Sequence, residues 1–339
     1  MYKKILIVGT GLSGSVIARE LAENGYQVLL IDKRDHVGGN IFDFINEQGI
    51  RIHKYGPHLF HTNNESVFVW LSKFTSWHQY RHKVKAMLSD GRLVTLPVNA
   101  ETVDIVGRDN IINTFIRPYS EKMWNLKLEE IDDKIIQRVP IRNDNNELYF
   151  PNDKFQVVPV NGYTSMIQSI LNHENISYCL NTEFSKNMER NYFHIFNSMP
   201  IDEYFDFKFG ELPYRSIKFE TITLPLPKIF PVAVVNFTHE SKYTRITEWK
   251  NILGHGINNK FTTLTYEEPC DYKENNFERY YPVKDKLGIN KKLYNKYKSI
   301  EHPKMTFIGR LGQYLYLDMD QVVSSSLAIV HKFIQNAKG

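Results

Sequence analysis

An apolar run from Ile5 to Val8 passes straight into Gly9-Thr10-Gly11-Leu12-Ser13-Gly14, and apolar positions then recur at helical spacing from Ser15 to Asn24. That order predicts a buried strand, a glycine turn and a helix. A second apolar run closes on Asp32, about 20 residues past the turn, where a dinucleotide fold carries its acid. Val67 to Phe74 has helical spacing, and Val84 to Pro97 reads as a hairpin turning at Ser89-Asp90-Gly91. Val103 to Trp124 is helical in pattern, with Pro118 marking a break or a new helix start. Asn161-Gly162 opens a helix over Tyr163 to Leu171, and short β-like segments dominate Ser177 to Asn236. Met305 to Ile308 predicts a strand ending at Gly309, followed by a helix over Asp320 to Gln335 with Ser324 to Ser326 in an apolar stretch. Such a closing unit returns to the dinucleotide domain, so the domains are expected to be discontinuous in sequence.

Composition narrows the class. At 339 residues the chain suggests two or three domains, and 42% hydrophobic residues describe an ordinary soluble protein. No apolar run approaches the roughly 18 residues of a membrane span. The first strand begins at the N-terminus, so neither a signal nor a transit peptide is expected. Cys179 and Cys270 have no metal-type spacing and fit a reducing cytoplasm. A net charge of +4 suits an anionic small molecule without requiring nucleic acid. Cytoplasmic localisation, with no membrane and no nucleic-acid partner, is the expectation. The aromatic share of 13% includes rings in polar company, as in Tyr280-Tyr281-Pro282 and Tyr314-Leu315-Tyr316-Leu317-Asp318, where a phenol serves as donor or stacking face.

The glycine turn carries the first chemistry. Gly9 permits the tight turn, Gly11 lets backbone approach a pyrophosphate, and Gly14 lets the helix pack on the strand. The helix start holds the negative charge, and Asp32 can accept both hydroxyls of a ribose. Gly38-Gly39, just past that acid, allows a loop to lie against the cofactor and favours FAD over NAD. Farther on, His53, His58 and His61 fall within RIHKYGPHLFHT without an interleaved cysteine or carboxylate. That pattern argues against a metal site and leaves two alternatives, core histidines or a loop pressed against a ligand.

With that segment the chain resembles the UDP-galactopyranose mutase family. The resemblance runs nearly end to end, through VGTGLSG, DKRDHVGGN, IHKYGPHLFHT, YRHKVKAM, LPVN, IVGRDNIINTFIRPYSEKMW, RVPIR, VPVNGY, PIDEYFDFKFGELPYRSIKFET, VNFT, YTRITEW, YYPV and GRLGQYLYLDMDQV. It implies an α/β fold: a Rossmann-like FAD-binding domain with a small helical domain and an antiparallel β-sheet substrate domain. The expected boundaries are 1–80 plus about 190–215 and 300–339 for the FAD domain, about 99–140 for the helical domain, and about 82–98, 145–165 and 216–290 for the sheet domain. The implied activity is the interconversion of UDP-galactopyranose and UDP-galactofuranose through a covalent flavin N5–sugar adduct. FAD must be reduced by a cellular reductant, and there is no net redox change.

The resemblance also assigns residues. Arg142 and Arg245 align with two diphosphate arginines, and His58 and His61 with histidines beside flavin and sugar; these four are the catalytic candidates. His82, Phe115, Tyr119, Trp124, Phe155, Tyr281, Tyr316 and Asp318 are expected on the substrate, with Tyr119 stacking on uracil. Gly9, Gly11, Leu12, Gly14, Asp32, Lys33, Gly39, Asn40, His58, Arg310 and Met319 are expected on FAD. Two departures stand out. Between Asn99 and Ile105 the long helical insert of most bacterial members is almost absent, and that region often builds the dimer contact of a homodimer. Phe155 also replaces a tyrosine that touches the diphosphate, which puts the sugar in question. The same chemistry on dTDP-fucopyranose or UDP-N-acetylgalactosamine is the alternative, with an FAD amine-oxidase-like oxidoreductase a more distant one.

Overall fold

The strand Lys4–Val8, fully buried from Ile5 to Ile7, is the middle of a five-stranded sheet in the computed structural model, which describes residues 4–133, 140–257 and 260–338. The strand order is Ile176–Cys179, Gln27–Ile31, Lys4–Val8, His194–Asn197 and Met305–Phe307, and every neighbouring pair is parallel. A parallel sheet needs cover on its faces. The helices Leu12–Glu23, Gly162–Leu171 and Met319–Lys338 share one apolar core with it. A Cβ on Gly14 would lie 2.1 Å from the Gly9 carbonyl oxygen, so the helix leaves the strand at a spacing that only glycine allows. Ser326, in the last helix, meets Ser13 in the first, Oγ to Oγ 2.8 Å.

The expected FAD-domain segments omitted two pieces of this unit. Ile176–Cys179 forms the outer edge of the sheet and Gly162–Leu171 covers it. The edge strand is short and largely exposed, so it leaves no apolar run to read. The covering helix is started by a distant residue: Asp43 accepts the backbone N–H groups of Tyr163 (2.8 Å) and Thr164 (2.9 Å).

The second sheet has seven strands in the order Tyr281–Pro282, Tyr214–Leu224, Thr262–Asp271, Arg245–Glu248, Val234–Phe237, Val84–Met87 and Leu93–Leu96. It is antiparallel except where Val84–Met87 runs parallel to Val234–Phe237. The Val84 to Pro97 hairpin forms with Val84 opposite Leu96. Residues 145–165, expected in this sheet, lie elsewhere. Phe155–Pro159 pairs with Phe60–Thr62 and Trp77–Gln79 in a separate three-stranded sheet. Its pleat explains the difference: Val157 enters the core of the parallel sheet, while Val158 enters the core beneath the seven-stranded one. The strand is a seam between the two.

The expected helix from Val103 to Trp124 is three pieces, with one 3-10 turn, Arg108–Asn110, between the first and second. Asn99 caps Ala100–Val106 by accepting the Thr102 N–H at 2.9 Å, and Gly107 at φ 86° stops it. A π-helical turn, Ile112–Ile116, then runs into Arg117–Trp124. The break therefore falls at Gly107, and Pro118 sits in the first turn of the last piece, where its missing N–H does no harm. Residues 134–139 of the expected helical domain and 258–259 of the sheet domain lie outside the described residues. Among the described residues no helix is long and apolar enough to cross a membrane.

Candidate active site

Two cavities, each of about 340 Å³, lie against each other. The first follows the glycine turn and is lined by Gly9, Gly11, Leu12, Asp32, Lys33, Gly39 and Asn40. Gly14 alone among the predicted cofactor residues is not in its wall; it serves the packing described above. Gly11 is the N-cap of Leu12–Glu23 and caps it with no side chain, which leaves the first-turn amides to an anion. Gly39, at φ +55°, approaches so closely that a Cβ on it would stand 2.9 Å from the Gly11 Cα. Bare backbone on both sides makes a cradle that a methyl group would fill, and it fits a dinucleotide pyrophosphate.

Asp32 is more engaged than its position in sequence suggests. Its Oδ2 accepts both the N–H and the hydroxyl of Thr10 at 2.7 Å each, and Oδ1 accepts the Arg34 N–H at 3.0 Å. An ionised carboxylate offers about four acceptor directions. One remains, so Asp32 can serve one ribose hydroxyl, where the sequence suggested both.

The second cavity lies between the seven-stranded sheet and the helical region. His58, His61, His82, Phe115, Tyr119, Trp124, Arg245, Tyr281, Tyr316 and Asp318 line it. The π-turn and the helix after it present Phe115, Tyr119 and Trp124 from one side. Trp124 meets Tyr281 and Tyr316 edge-on at 6.3 and 6.0 Å. Arg245 enters from the sheet, its Nε 2.7 Å from Oε2 of Glu267 on the adjacent strand. Burial acts to lower the Arg245 pKa, but the Glu267 carboxylate overrides it and holds the cation. Burial lifts the Glu267 carboxyl, and Arg245 draws it partway back. Burial also raises the Tyr281 phenol to about 12, which keeps its hydroxyl a donor.

His58, Arg310 and Met319 belong to both walls, so the two cavities meet there. The His58 N–H binds His53 Nδ1 at 3.0 Å, and its own Nδ1–H donates to the Gly56 carbonyl at 2.9 Å. Burial, with Arg310 nearby, lowers the His58 pKa to about 3; the ring is neutral and carries its lone pair on Nε2. His82 is lowered to about 3 by burial and by Arg245. Arg310 is fixed by donating from Nε to the Leu317 carbonyl at 2.7 Å. His61 stacks on Phe150 at 3.5 Å, with Nδ1 2.6 Å from Asp153 Oδ2.

Two predicted residues stand outside this arrangement. Arg142 is not in the wall: it donates to the carbonyls of Leu148 (2.6 Å) and Tyr149 (3.2 Å), which tie down the segment that does line the cavity. Phe155 is on the far side of its strand, stacked on Phe68 at 3.9 Å, because the pleat that turns Gln156 and Val158 one way leaves Phe155 and Val157 facing the other, toward the helix Glu65–Ser72. Sequence reasoning also missed residues. Glu267 becomes visible only through the strand register that sets it opposite Arg245. Asp153, Tyr149 and Phe150 sit in a stretch with no periodicity; the one available signal was an acid in a Pro-Asn-Asp turn just ahead of a strand.

Residues 114–316 match the family model described as UDP-galactopyranose mutase, and residues 7–74 match an NAD(P)-binding Rossmann-like domain. The chain is 34% identical to a probable UDP-galactopyranose mutase of Klebsiella pneumoniae, over 98% of its own length and 95% of that protein's. It is 33% identical to the dTDP-fucopyranose mutase of Escherichia coli, over 99% of each. In fold it is similar to a crystal structure of reduced UDP-galactopyranose mutase, with a TM-score of 0.75 and 17% identity over 100% of this chain and 95% of that one.

Proposed function

The chain belongs to the UDP-galactopyranose mutase family and is an isomerase that uses a flavin, and we propose that it interconverts UDP-galactopyranose and UDP-galactofuranose on reduced FAD without net redox change. The observation that carries this is the meeting of a dinucleotide cleft and an arginine- and tyrosine-lined chamber at His58, Arg310 and Met319. When bound, the reduced flavin supplies a nucleophilic nitrogen for the anomeric carbon; electrons come from a cellular reductant.

The chain's own residues do the rest. Arg245, backed by Glu267, grips the diphosphate as negative charge develops on the departing UDP. Tyr281 and Tyr316 add hydroxyl donors beside it, and Asp318 lies next to them. Tyr119 offers its ring to the uracil, with Phe115 and Trp124 closing the apolar side. Arg142 acts from outside the wall, holding the Leu148 and Tyr149 carbonyls so that Tyr149 and Phe150 keep their place in the chamber. His58 presents Nε2 where sugar and flavin meet, and His61, held by Asp153, moves a proton at a sugar hydroxyl. His82 lines the same wall. Holding UDP in this enclosed chamber keeps it within reach of the sugar for its return.

The Escherichia coli relative supports a second reading, the same chemistry on dTDP-fucopyranose. One anaerobic assay tests both. Dithionite-reduced protein is incubated with each nucleotide sugar and the products are separated by chromatography. A furanose formed only with reduced flavin, without consumption of reductant, establishes the mutase and identifies its sugar. Acceptor consumption with no isomerisation would point instead to an oxidoreductase.

A further inference from the structure

The segment Asn275–Arg279 borders the dinucleotide cleft, and Phe277, Glu278 and Arg279 all line it. Its ends are fixed. Asn275 Nδ2 donates to Ser216 Oγ (2.9 Å) and to the Ile217 carbonyl (3.0 Å), and the Tyr280 N–H binds the Arg215 carbonyl at 3.0 Å. Between those anchors two successive residues are left-handed, Asn276 at φ 50° and Phe277 at φ 59°. Asparagine tolerates that region, but for a phenylalanine it is a strained state that the surroundings must impose. The strain does not bury the ring: Phe277 is 59% exposed, and its described aromatic neighbour, Tyr272, is 6.2 Å away. A large apolar side chain is thus held, against both backbone preference and water, in the wall of a ligand cleft.

Glu278 ties the strap to the ribose end of that cleft. It pairs with Arg34 at 2.6 Å, and the Arg34 N–H is the group that binds Asp32. The Arg34 guanidinium lies over the Tyr55 ring at 4.3 Å, so it is fixed from a second direction. On the other side of Phe277, Arg279 is almost fully buried and paired with Glu203, and its Nε has no hydrogen-bond partner. On the flavin assignment, the flavin end is where the cleft meets the second cavity, at His58, Arg310 and Met319.

We infer that Phe277 is the stacking face for the adenine ring of the dinucleotide, carried on a strap that the Arg34–Glu278 ion pair pins beside the ribose. This rests on the flavin assignment above. It makes Phe277 a cofactor-binding residue and gives the strap control of how fast FAD leaves.

Phe277→Gly tests it, because glycine removes the ring and relieves the left-handed backbone together. Affinities of the apoprotein for FAD and for FMN, which lacks the adenosine, are measured by flavin fluorescence, along with FAD release from the holoprotein. Phe277→Gly is expected to weaken FAD about 5- to 150-fold, the range found for losing one stacked base, with matching faster release. FMN binding stays unchanged, Phe277→Tyr retains FAD, and Glu278→Gln gives an intermediate loss. Equal FAD affinity in wild type and Phe277→Gly would overturn the assignment. So would wild type binding FMN as tightly as FAD, although the flavin reading would survive. If wild type binds neither flavin, the cofactor reading falls with it.

Discussion

Arg245 and Glu267 face each other across adjacent antiparallel strands, Nε 2.7 Å from Oε2, with the carboxylate 1% exposed and the guanidinium reaching the substrate chamber. The pair divides two tasks. Glu267 keeps a cation in a buried position, and Arg245 carries that charge into the chamber wall. Arg245→Ala is therefore expected to lower turnover about 10²–10³-fold, the scale for losing one preorganised donor to a developing anion, while the protein stays yellow. It also strands Glu267 at about 3–5 kcal/mol in stability. Burial already lifts that carboxyl, so the deficit is largest at high pH and shrinks as Glu267 takes a proton. Chemical denaturation at two pH values, beside flavin absorbance and turnover, checks all three outcomes. Near-normal activity would remove Arg245 from the mechanism.

Buried neutral histidines make the fold acid-sensitive. His58, His82 and His255 are lowered to about 3, and His194 to about 4, each chiefly by burial. Unfolded, each titrates near 6.5. Between those values only the unfolded chain binds the protons, so stability is intact above pH 6.5 and declines as pH falls toward 4. Each histidine contributes up to about 1.4 kcal/mol per pH unit. Urea midpoints at pH 7.5 and 4.5 should differ strongly. His255→Asn, which keeps a donor for the Arg51 carbonyl, should flatten that slope by one proton.

The glycines of the cradle are not equivalent to glycines elsewhere. Gly39→Ala would set a Cβ 2.9 Å from the Gly11 Cα and is expected to abolish FAD retention, leaving a colourless protein. Gly25 also has a positive φ but nothing within 4 Å, so Gly25→Ala should cost only about 1 kcal/mol and keep the flavin. Flavin content per chain separates the two. A yellow Gly39→Ala would contradict the cradle.

Asp153 sets which nitrogen of His61 faces the chamber. Asp153→Asn replaces an anionic acceptor by an amide that can hold the ring in either tautomer. Turnover should fall about 10- to 100-fold with little change in KM, and Asp153→Glu should recover part of it. An unchanged pH–rate profile in Asp153→Asn would show that His61 moves no proton.

Two strands of the parallel sheet, Lys4–Val8 and Met305–Phe307, were legible as apolar runs leading into glycine, and the first of them gave the cofactor cradle. The chamber was legible through sequence motifs, which gave residue identities but not directions. Arg142 and Phe155 show the limit: one carries the right charge and spends it on two carbonyls, the other lies one pleat from the cavity. Glu267 and Asp43 could not be read at all. Each acts on a residue brought to it by strand register or domain packing, and local sequence carries no trace of that.

The hydrogen bond between Ser13 and Ser326 spans 313 positions, and the residues where the two cavities meet include Arg310 and Met319. On the ribosome, the glycine turn emerges about 300 residues before Arg310, Met319 and Ser326, and its cleft has no complete floor until they are made. Flavin retention is therefore expected only after Met305–Phe307 and the helix Met319–Lys338 have been made. A nascent or C-terminally clipped chain would be colourless, and its exposed first helix would mark it for chaperones or proteases.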